Sequence, residues 1–399
     1  MSAKLAFVLR RYFLFSLCLL PITPALLPSV ALKASAVEHT KEGDQPDNPG
    51  PIATDLSSKL TSPAIRAAMK KVGDWQLRVG EANFNNDWTF AALYDGLLAA
   101  SKTTGDPIYR GAVAKFAQSQ RWKLANSRFP HADDMALGKA YTELYREDPK
   151  AIRIADTKAI LDQLVVRPDD PAKELWWWCD SLYMAPPVLA RMSEITGDPK
   201  YDKYMDHEWD VTSNLLYSQE FHLFFRDASY LGQKQANGKP VFWSRGNGWV
   251  MGGLVKVLQA LPLNNPSRPR YIKQLQQMAA EIAAIQSPDG LWRTGLLDPT
   301  AYDLPEISGS AFFTYAIAYG INEHILDRET YLPVIRKAWA GMLTHIYADG
   351  RLGSIQPVGA QPGEFKPSAS YVYGVGAFLE AGSELDRLSR RKQTLAETR

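Results

Sequence analysis

The hydrophobic positions of this chain recur mostly at intervals of three and four residues, the spacing of one face of an α-helix. One apolar stripe of this kind lies within 272–282, and another lies within 312–319. The alternation typical of strands is sparse, and the best candidates for a short β-hairpin are 223–226 and 240–243. The pattern therefore predicts a chain built almost entirely of helices.

Polar turns of one type separate the helical segments. Thr104-Gly105-Asp106-Pro107 is the clearest, and related turns stand at 147–149, 196–201, 265–271 and 326–331. Glycine ends one helix, Asp caps the next, and proline occupies its first turn. Spacings of about 40 to 60 residues fit one antiparallel helix pair per repeat. About six such pairs predict an all-α fold, a closed (α/α)6 barrel of six helical hairpins rather than an open solenoid.

The composition narrows the possible functions. With 399 residues, 46% of them hydrophobic, the chain can bury a large core. It carries 45 basic and 43 acidic residues, well interspersed, so no basic face for nucleic acid is expected. No shift in composition divides the chain after its first residues into two domains.

The first 36 residues are typical of a secretory signal. Lys4, Arg10 and Arg11 precede the short apolar run 12–20, and Ala34-Ser35-Ala36 offers a cleavage site. A secreted or periplasmic bacterial protein with no membrane association after cleavage is expected. Removal would leave one cysteine, and export without disulfides fits a large core. The predicted organisation is a signal peptide at 1–36, a flexible lead-in at 37–60, a barrel at 61–388 and a charged tail at 389–399.

The most informative stretch is Trp176-Trp177-Trp178-Cys179-Asp180, which places a carboxylate directly behind three indoles. A carboxyl group among such large rings is partly desolvated, and this raises its pKa towards the range of a proton donor near neutral pH. Flat rings beside a carboxyl group also suit a sugar ring. The alternative interpretation is a buried helix start in which Asp180 is a hydrogen-bonded structural acid.

A second candidate is Phe242-Trp243-Ser244-Arg245-Gly246-Asn247-Gly248-Trp249. Its glycines predict a loop, with a helix opening at Gly248-Trp249 whose first N–H groups could receive an anion. The glycine spacing lacks the lysine of a phosphate loop and the dinucleotide pattern. Arg245 suits bidentate binding of a carboxylate, whereas the alternative is an ion pair between Arg245 and a core Asp.

A third candidate is the acidic pair Asp133-Asp134, which follows His131. One of the two carboxylates is expected to cap a helix start. The six histidines of the chain are scattered and no metal-ligand spacing accompanies them, so no metal or other cofactor is predicted. Cys179 has no evident His partner and no G-x-S-x-G elbow is present, which argues against a thiol or serine nucleophile.

Five segments carry a family pattern: Trp178–Pro187, Trp243–Trp249, Leu291–Arg293, Pro305–Ser310 and Tyr373–Gly376. In this order they resemble glycoside hydrolase family 105, the unsaturated rhamnogalacturonyl hydrolase-like family, which is related to the unsaturated glucuronyl hydrolases of family 88. The similarity runs from about Trp75 to Leu385.

The resemblance implies an (α/α)6 barrel with a single catalytic aspartate at Asp180. It places a supporting acid in the pair Asp133-Asp134, with Asp133 slightly favoured. The sugar-binding positions that it implies are Trp88, Met184, His222, Trp243, Arg245 and Trp249.

The activity implied is an exo-acting glycosidase that removes a 4,5-unsaturated uronic acid from the non-reducing end of lyase-generated oligosaccharides. One acid protonates C4 of the enol ether and then, as a carboxylate, activates the water that adds to C5. Rhamnogalacturonan fragments are favoured as substrate, and ulvan- or arabinogalactan-type fragments are the alternative. The expected partner is this oligosaccharide alone, and the protein is expected to be a monomer.

Two other functions compete with this prediction. A two-carboxylate glycosidase would use Asp180 with Asp133, Asp134 or Glu306 and would cleave saturated substrates. A non-catalytic sugar-binding protein would keep the aromatic residues without needing a raised pKa at Asp180.

Overall fold

The computed structural model describes residues 40–170 and 174–397. The predicted signal peptide at 1–36 lies outside the described residues. The α-helices are α1 (Ser62–Gly80), α2 (Trp88–Thr104), α3 (Pro107–Ser119), α4 (Gly138–Glu147), α5 (Ala155–Leu164), α6 (Ser181–Met184, a single turn), α7 (Pro186–Thr196), α8 (Lys200–Leu216), α9 (Ser244–Ala260), α10 (Arg268–Ala284), α11 (Ile307–Asn322), α12 (Arg328–Leu343) and α13 (Val372–Glu397). The strands are β1 (Gly43–Asp44), β2 (Tyr217–Ser218), β3 (Leu223–Phe224) and β4 (Ser370–Tyr371).

Six helices form a closed inner ring. Along the chain α2, α4, α7, α9, α11 and α13 each pack against the next, and α13 packs against α2 to close the circle. The helices α1, α3, α5, α8, α10 and α12 alternate with them in sequence and form the outer layer. This arrangement confirms the predicted all-α (α/α)6 barrel.

Burial separates the two layers. The inner helix α11 is buried at every position, whereas the outer helix α10 buries one face, including Leu275, Met278, Ala279 and Ile282. An inner helix has neighbours on all sides, so its sequence is apolar or small all round rather than amphipathic. Glycine permits the closest approach, since a Cβ atom on Gly376 of α13 would lie 2.2 Å from the Ala92 carbonyl oxygen of α2.

The turns contain the predicted glycines that end helices and the predicted Asp residues that cap them. Gly105 ends α2 with φ of 78°, and the Asp106 side chain accepts the Ile108 N–H at the start of α3. Gly197 ends α7 with φ of 70°, and Asp327 caps α12 by accepting the Thr330 N–H. Left-handed backbone of this kind carries little steric cost for glycine. These turns reverse the chain between inner and outer helices.

The prediction of a hairpin between 223–226 and 240–243 is wrong. β3 pairs with β2, so that Tyr217 lies opposite Phe224, while Trp243 forms a bridge with Gly295. These segments are connections at one end of the barrel, and each pairs with the nearest connection rather than with the other.

The described part of the predicted lead-in packs on the barrel. β1 pairs with β4, Ala53 N–H donates to the Ile346 carbonyl, and the Ser368 hydroxyl donates to the Pro46 carbonyl. Helix α13 continues through the predicted charged tail as far as Glu397. In the part of the chain that the structure describes, no helix has the length and apolar character needed to cross a membrane.

Candidate active site

The candidate site lies where the N-terminal ends of the inner helices meet. Trp88 at the start of α2 stacks on Tyr373 at the start of α13, with ring centroids 5.9 Å apart. The Trp88 ring also meets the edge of the Trp249 ring of α9 at 5.9 Å. Asp180 immediately precedes α6, which packs against α9. The closed ring therefore brings together residues that are far apart in the sequence.

The three consecutive tryptophans have three different environments. Trp176 is fully buried in the core, Trp177 is 38% exposed, and Trp178 is buried against His131, with ring centroids 4.5 Å apart. The sequence predicted three indoles around one carboxyl group. In the structure Trp178 is a buried indole beside the site, whereas Trp177 lies at the surface and Trp176 in the core. The irregular backbone between 174 and 180 turns successive side chains in different directions.

Asp180 is a buried acid that does not serve as a helix cap. It occupies the N-cap position of α6, yet its side chain accepts no capping hydrogen bond. The residue is 8% exposed, and the Cys179 thiol donates to its Oδ2 at 3.5 Å. Burial raises the pKa of Asp180, while the nearby Arg226 and Arg245 oppose this increase. A buried carboxyl group with a raised pKa has the properties of a general acid.

Asp133 and Asp134 are in opposite electrostatic situations. Both oxygens of Asp134 are bound by Arg128, through its backbone N–H at 2.8 Å and its Nε–H at 2.8 Å. Asp133 lies 3.6 Å from the Arg128 NH1 and 3.5 Å from the His131 Nδ1. Burial raises the pKa of Asp133 to about 7 against the opposing charge of Arg128, and the negative charges of Asp180, Asp87 and Asp134 add to the increase. Asp133 is therefore the member of the pair whose pKa is raised in part by the charge of Asp180.

Glu306 is a structural cap. It is fully buried at the N-cap of α11, where its carboxylate accepts the N–H groups of Ser308, Gly309 and Gln356 and the Ser308 hydroxyl. A carboxylate with this many donors has its charge compensated and has no free position for a reacting proton.

Arg245 is held by the loop that follows α12. Its NH1 and NH2 donate to the carbonyls of Gln356 and Pro357 at 2.7 and 2.8 Å, and its guanidinium carbon lies 4.4 Å from the centre of the Trp243 ring. The residue is fully buried, and its Nε has no acceptor among the described residues. The terminal nitrogens proposed for a bidentate substrate contact thus bind backbone carbonyls. The alternative interpretation was an ion pair between Arg245 and a core Asp, and no nitrogen of Arg245 forms one with a described residue.

The prediction of a glycine loop before Gly248 is wrong. Helix α9 begins at Ser244, so Arg245 through Trp249 already lie on helical turns. The Asn247 side chain accepts the Phe224 N–H at 2.8 Å and donates to the Phe224 carbonyl at 3.0 Å. This pair of bonds clamps α9 to β3 and leaves Asn247 unavailable for an anion. The glycines here serve close helix packing.

The remaining predicted sugar-binding residues differ in their burial and in their partners. Trp88 is half-buried, Trp243 is buried with its Nε1–H donating to the Gln356 side chain at 2.8 Å, and Trp249 is fully buried. Met184 is buried at the end of α6. His222 is half-buried in the left-handed region, with φ of 51°, and its Nδ1 lies 3.3 Å from the Tyr217 hydroxyl. Their roles in sugar binding stay predictions.

Sequence reasoning missed three residues of this centre. Arg226 lies 3.7 Å from Asp180, Tyr373 faces the Arg245 guanidinium at 4.9 Å, and Gln356 binds both Trp243 and Arg245. Arg226 stands in an aromatic segment with His222, which was a usable signal. No local pattern points to Gln356, because a loop residue acquires its partners only on folding.

Carboxylate and histidine ligands come close together at one place in the described ranges. Asp169, His207 and Glu208 offer atoms within 4.8 Å of one another, on the connection after α5 and on the outer helix α8. His131, Asp133 and Asp134 do not form such a group there. The candidate active site is therefore built from acids, arginines and aromatic rings.

A closed ring of six inner helices, with two carboxyl groups at its N-terminal end whose pKa values burial raises, is typical of one class of protein, the α/α-barrel glycosidases. The chain belongs to glycosyl hydrolase family 88, because the sequence profile described as "Glycosyl Hydrolase Family 88" matches residues 64–389.

Individual relatives agree with this assignment. The "Unsaturated 3S-rhamnoglycuronyl hydrolase" of Formosa agariphila is 39% identical over 353 residues, which cover 82% of this chain and 92% of that protein. The solved structure of "Glycosyl hydrolase family 88 from Bacteroides vulgatus" has a TM-score of 0.78 at 33% identity, covering 82% of this chain and 99% of that one.

A solved structure described as a possible member of the GH105 family, from Salmonella enterica serovar Paratyphi A, shares the fold. Its TM-score is 0.69 at 21% identity, and the match covers 82% of this chain and 95% of that one. The predicted relation to family 88 is confirmed, and the likeness to this family 105 structure is one of fold.

Proposed function

We propose that this protein is an exo-acting hydrolase that removes a 4,5-unsaturated uronic acid from the non-reducing end of short oligosaccharides produced by polysaccharide lyases. The observation that carries the proposal is the state of Asp180. Its carboxyl group is buried, has a raised pKa and caps no helix. Burial thus favours its protonated form, which can deliver a proton to a substrate.

The chemistry needs one acid that acts twice. Asp180 donates its proton to C4 of the cyclic enol ether, and the positive charge that develops at C5 is shared with the ring oxygen. The Asp180 carboxylate then takes a proton from the water that adds to C5. The resulting hemiketal opens and expels the neighbouring sugar, without attack at the anomeric carbon. Asp133, whose pKa is about 7, supports the proton on Asp180 when it is ionised, because its negative charge then disfavours ionisation of Asp180.

The neighbouring carboxylates give little support to a two-carboxylate mechanism. An ordinary glycosidase pairs an acid with a second carboxylate that is ionised as a nucleophile or base. Here burial raises the pKa of both Asp180 and Asp133. Asp134 and Glu306 are bound by Arg128 and by the α11 cap. The raised pKa values and the bound carboxylates together favour hydration of a double bond by one acid, Asp180.

The surroundings suit a substrate with one negative charge. The N-terminal ends of α2, α9, α11 and α13 meet at the site, and helix N-termini carry partial positive charge. The half-buried Trp88 offers a ring face for a sugar. The name of the Formosa agariphila relative supports an unsaturated uronate linked to rhamnose as the substrate class. C4 is planar in such a uronate, so the sugar on the leaving side should govern selectivity.

The test is a panel of lyase-generated disaccharides in which the unsaturated uronate is linked to rhamnose, galactose or glucose, together with their saturated counterparts. We expect loss of the ultraviolet absorbance of the conjugated double bond, fastest with rhamnose, and no cleavage of the saturated series. Equal rates on saturated and unsaturated disaccharides, or release of internal fragments from intact polymer, would overturn the proposal.

Export and a monomeric state belong to the same proposal. The basic, apolar and A-x-A elements within 1–36 support secretion of the enzyme. Cell fractionation of a bacterium that expresses the full chain, followed by size-exclusion chromatography with light scattering, tests both statements. A cytoplasmic protein or a stable dimer would contradict them.

A further inference from the structure

Arg226 stands beside the proposed acid, and its buried Nε–H has no acceptor among the described residues. Its Nε lies 3.7 Å from the Asp180 Oδ2, too far for a hydrogen bond. Its NH1 donates to the Asp227 Oδ2 at 2.7 Å. The guanidinium also lies over the Trp177 ring, 5.3 Å from its centre. The side chain is thus fixed at one end while its Nε–H faces the acid.

The backbone keeps Arg226 in register with Asp180. The Cys179 N–H donates to the Arg226 carbonyl at 2.8 Å, and Trp178 forms an antiparallel bridge with Asp227. Asp227 is itself fixed, because it accepts the Ser229 N–H at 2.9 Å. Two pairs of neighbouring residues are therefore clipped together, so the backbone holds the guanidinium beside the carboxyl group and a small side-chain movement is enough to join them.

We propose that Arg226 is a positioning residue of the reaction: its Nε–H closes onto the Asp180 carboxylate once Asp180 has given up its proton, and holds that carboxylate for the activation of water. The inference rests on the proposed function. In the first step the π pair of C4=C5 forms the new C4–H bond with the proton of Asp180. In the second step water oxygen bonds to C5 and its proton returns to Asp180, so the acid is restored.

Other charged groups around Asp180 do not have this geometry. Arg245 of α9 donates both terminal nitrogens to backbone carbonyls, and Arg128 binds Asp134. Burial raises the pKa of the Cys179 thiol well above its ordinary value, so it remains neutral. Two other acids lie nearby: Asp227 binds Arg226, and Asp133, preceding α4, has a pKa to which the charge of Asp180 contributes. For this reason the experiment compares the pH dependence of kcat between variants.

The experiment compares Arg226→Gln with wild type on an unsaturated disaccharide across pH. Asp180 must be protonated to act, so activity falls as pH rises through its pKa. Loss of the positive charge of Arg226 raises that pKa, and the basic limb of kcat should move to higher pH. We also expect kcat to fall by about 10- to 100-fold, the scale of impaired general acid–base catalysis. Arg226→Lys should restore the position of the basic limb more than it restores kcat.

The variant Asp227→Asn should shift the basic limb in the opposite direction. It tests the role of Arg226 if Arg226→Gln does not fold. Without its anchor the guanidinium can approach Asp180, which lowers the pKa of Asp180, so the basic limb should move to lower pH. Arg110→Gln, which removes a surface ion pair with Glu147, is the matched control and should leave the profile unchanged.

The outcomes separate this inference from the proposed function. Basic limbs that coincide with wild type in the folded Arg226→Gln variant, or in Asp227→Asn, would overturn the role of Arg226 alone. A wild-type enzyme without activity on any unsaturated oligosaccharide would overturn the proposed function itself.

Discussion

Two groups of buried and half-buried ionisable side chains occupy different depths of the same barrel. The first, the site acids, consists of Asp133 and Asp180 at the N-terminal ends of the inner helices. The second, which we call the lumen cluster, consists of Asp95, Lys139, Lys256 and Glu380. Lys256 lies on α9 about three helical turns beyond Arg245. Both groups contain an acid whose pKa burial raises, Asp180 in one and Glu380 in the other.

Pairing distinguishes the two groups. In the lumen cluster Lys256 lies 2.6 Å from Glu380 and 3.6 Å from Asp95, and Lys139 lies 3.6 Å from Asp95. The Tyr183 hydroxyl lies 3.0 Å from Asp95 and 3.2 Å from Glu380. Around the site acids, Arg128 lies 3.6 Å from Asp133 but donates its hydrogen bonds to Asp134. Arg226 lies 3.7 Å from Asp180 and donates to Asp227. A raised pKa alone therefore does not identify a reacting group; an acid without a hydrogen bond from a cationic side chain is the better candidate.

The lumen cluster borders a cavity at the end of the barrel opposite to the site acids. A cavity of about 490 Å³ is lined by its four members together with Glu143 and other residues near the C-terminal ends of the inner helices. Its charges are compensated within the protein, so we assign this cluster to the stability of the barrel.

The largest expected effect comes from Asp180→Asn. The amide keeps the shape of the side chain but cannot deliver a proton, and loss of general acid–base catalysis costs about 10²–10⁴-fold. Because Asp180 acts in both proton steps, we expect the upper end, measured as kcat on an unsaturated disaccharide. The melting temperature should change little. A variant that keeps more than about a tenth of the wild-type rate would remove Asp180 from this role, since such a loss is below the expected range.

Glu380→Gln makes the same chemical change in the lumen cluster. It takes away the closest partner of Lys256 and leaves Asp95, at 3.6 Å, as the nearest acid to its ammonium group. Breaking a buried ion pair costs about 3–5 kcal/mol, and we expect the lower end because Asp95 remains. Thermal unfolding should show a clear drop in Tm, while kcat per folded molecule stays within a few fold of wild type. Loss of activity without loss of stability would erase the distinction between the two groups.

The smallest effects should separate Asp133 from Asp134. A carboxyl group whose pKa is raised from 3.8 unfolded to about 7 folded makes folding less favourable as pH rises between these values. Asp133→Asn removes this cost and should raise Tm by a few degrees at neutral pH while lowering kcat. Asp134→Asn should lower Tm, because it takes an ionic partner from Arg128. Paired measurements of Tm and kcat at neutral pH test the assignment, and the reverse pattern would exchange the two residues.

Much of the architecture was readable from the sequence. Helical spacing in 272–282 and the Gly-Asp-Pro turns at 104–107 and 196–201 predicted the hairpins, because capping and periodicity are local properties. The motif around Asp180 predicted an acid in an aromatic setting. The start of α9 and the pairing of β3 were predicted wrongly, since glycine-rich and short extended segments take their conformation from neighbours that are distant in sequence.

The sequence by itself determined which residues could do chemistry, and the tertiary structure decided which of them are left available to do it. Asp133 and Asp134 are equivalent as neighbours in the chain, yet Arg128 binds Asp134 and leaves Asp133 near Asp180. Glu306 and Asp180 both precede helices, but only Glu306 caps its helix. Burial and pairing depend on side chains that closure of the ring brings together, and no local pattern records them.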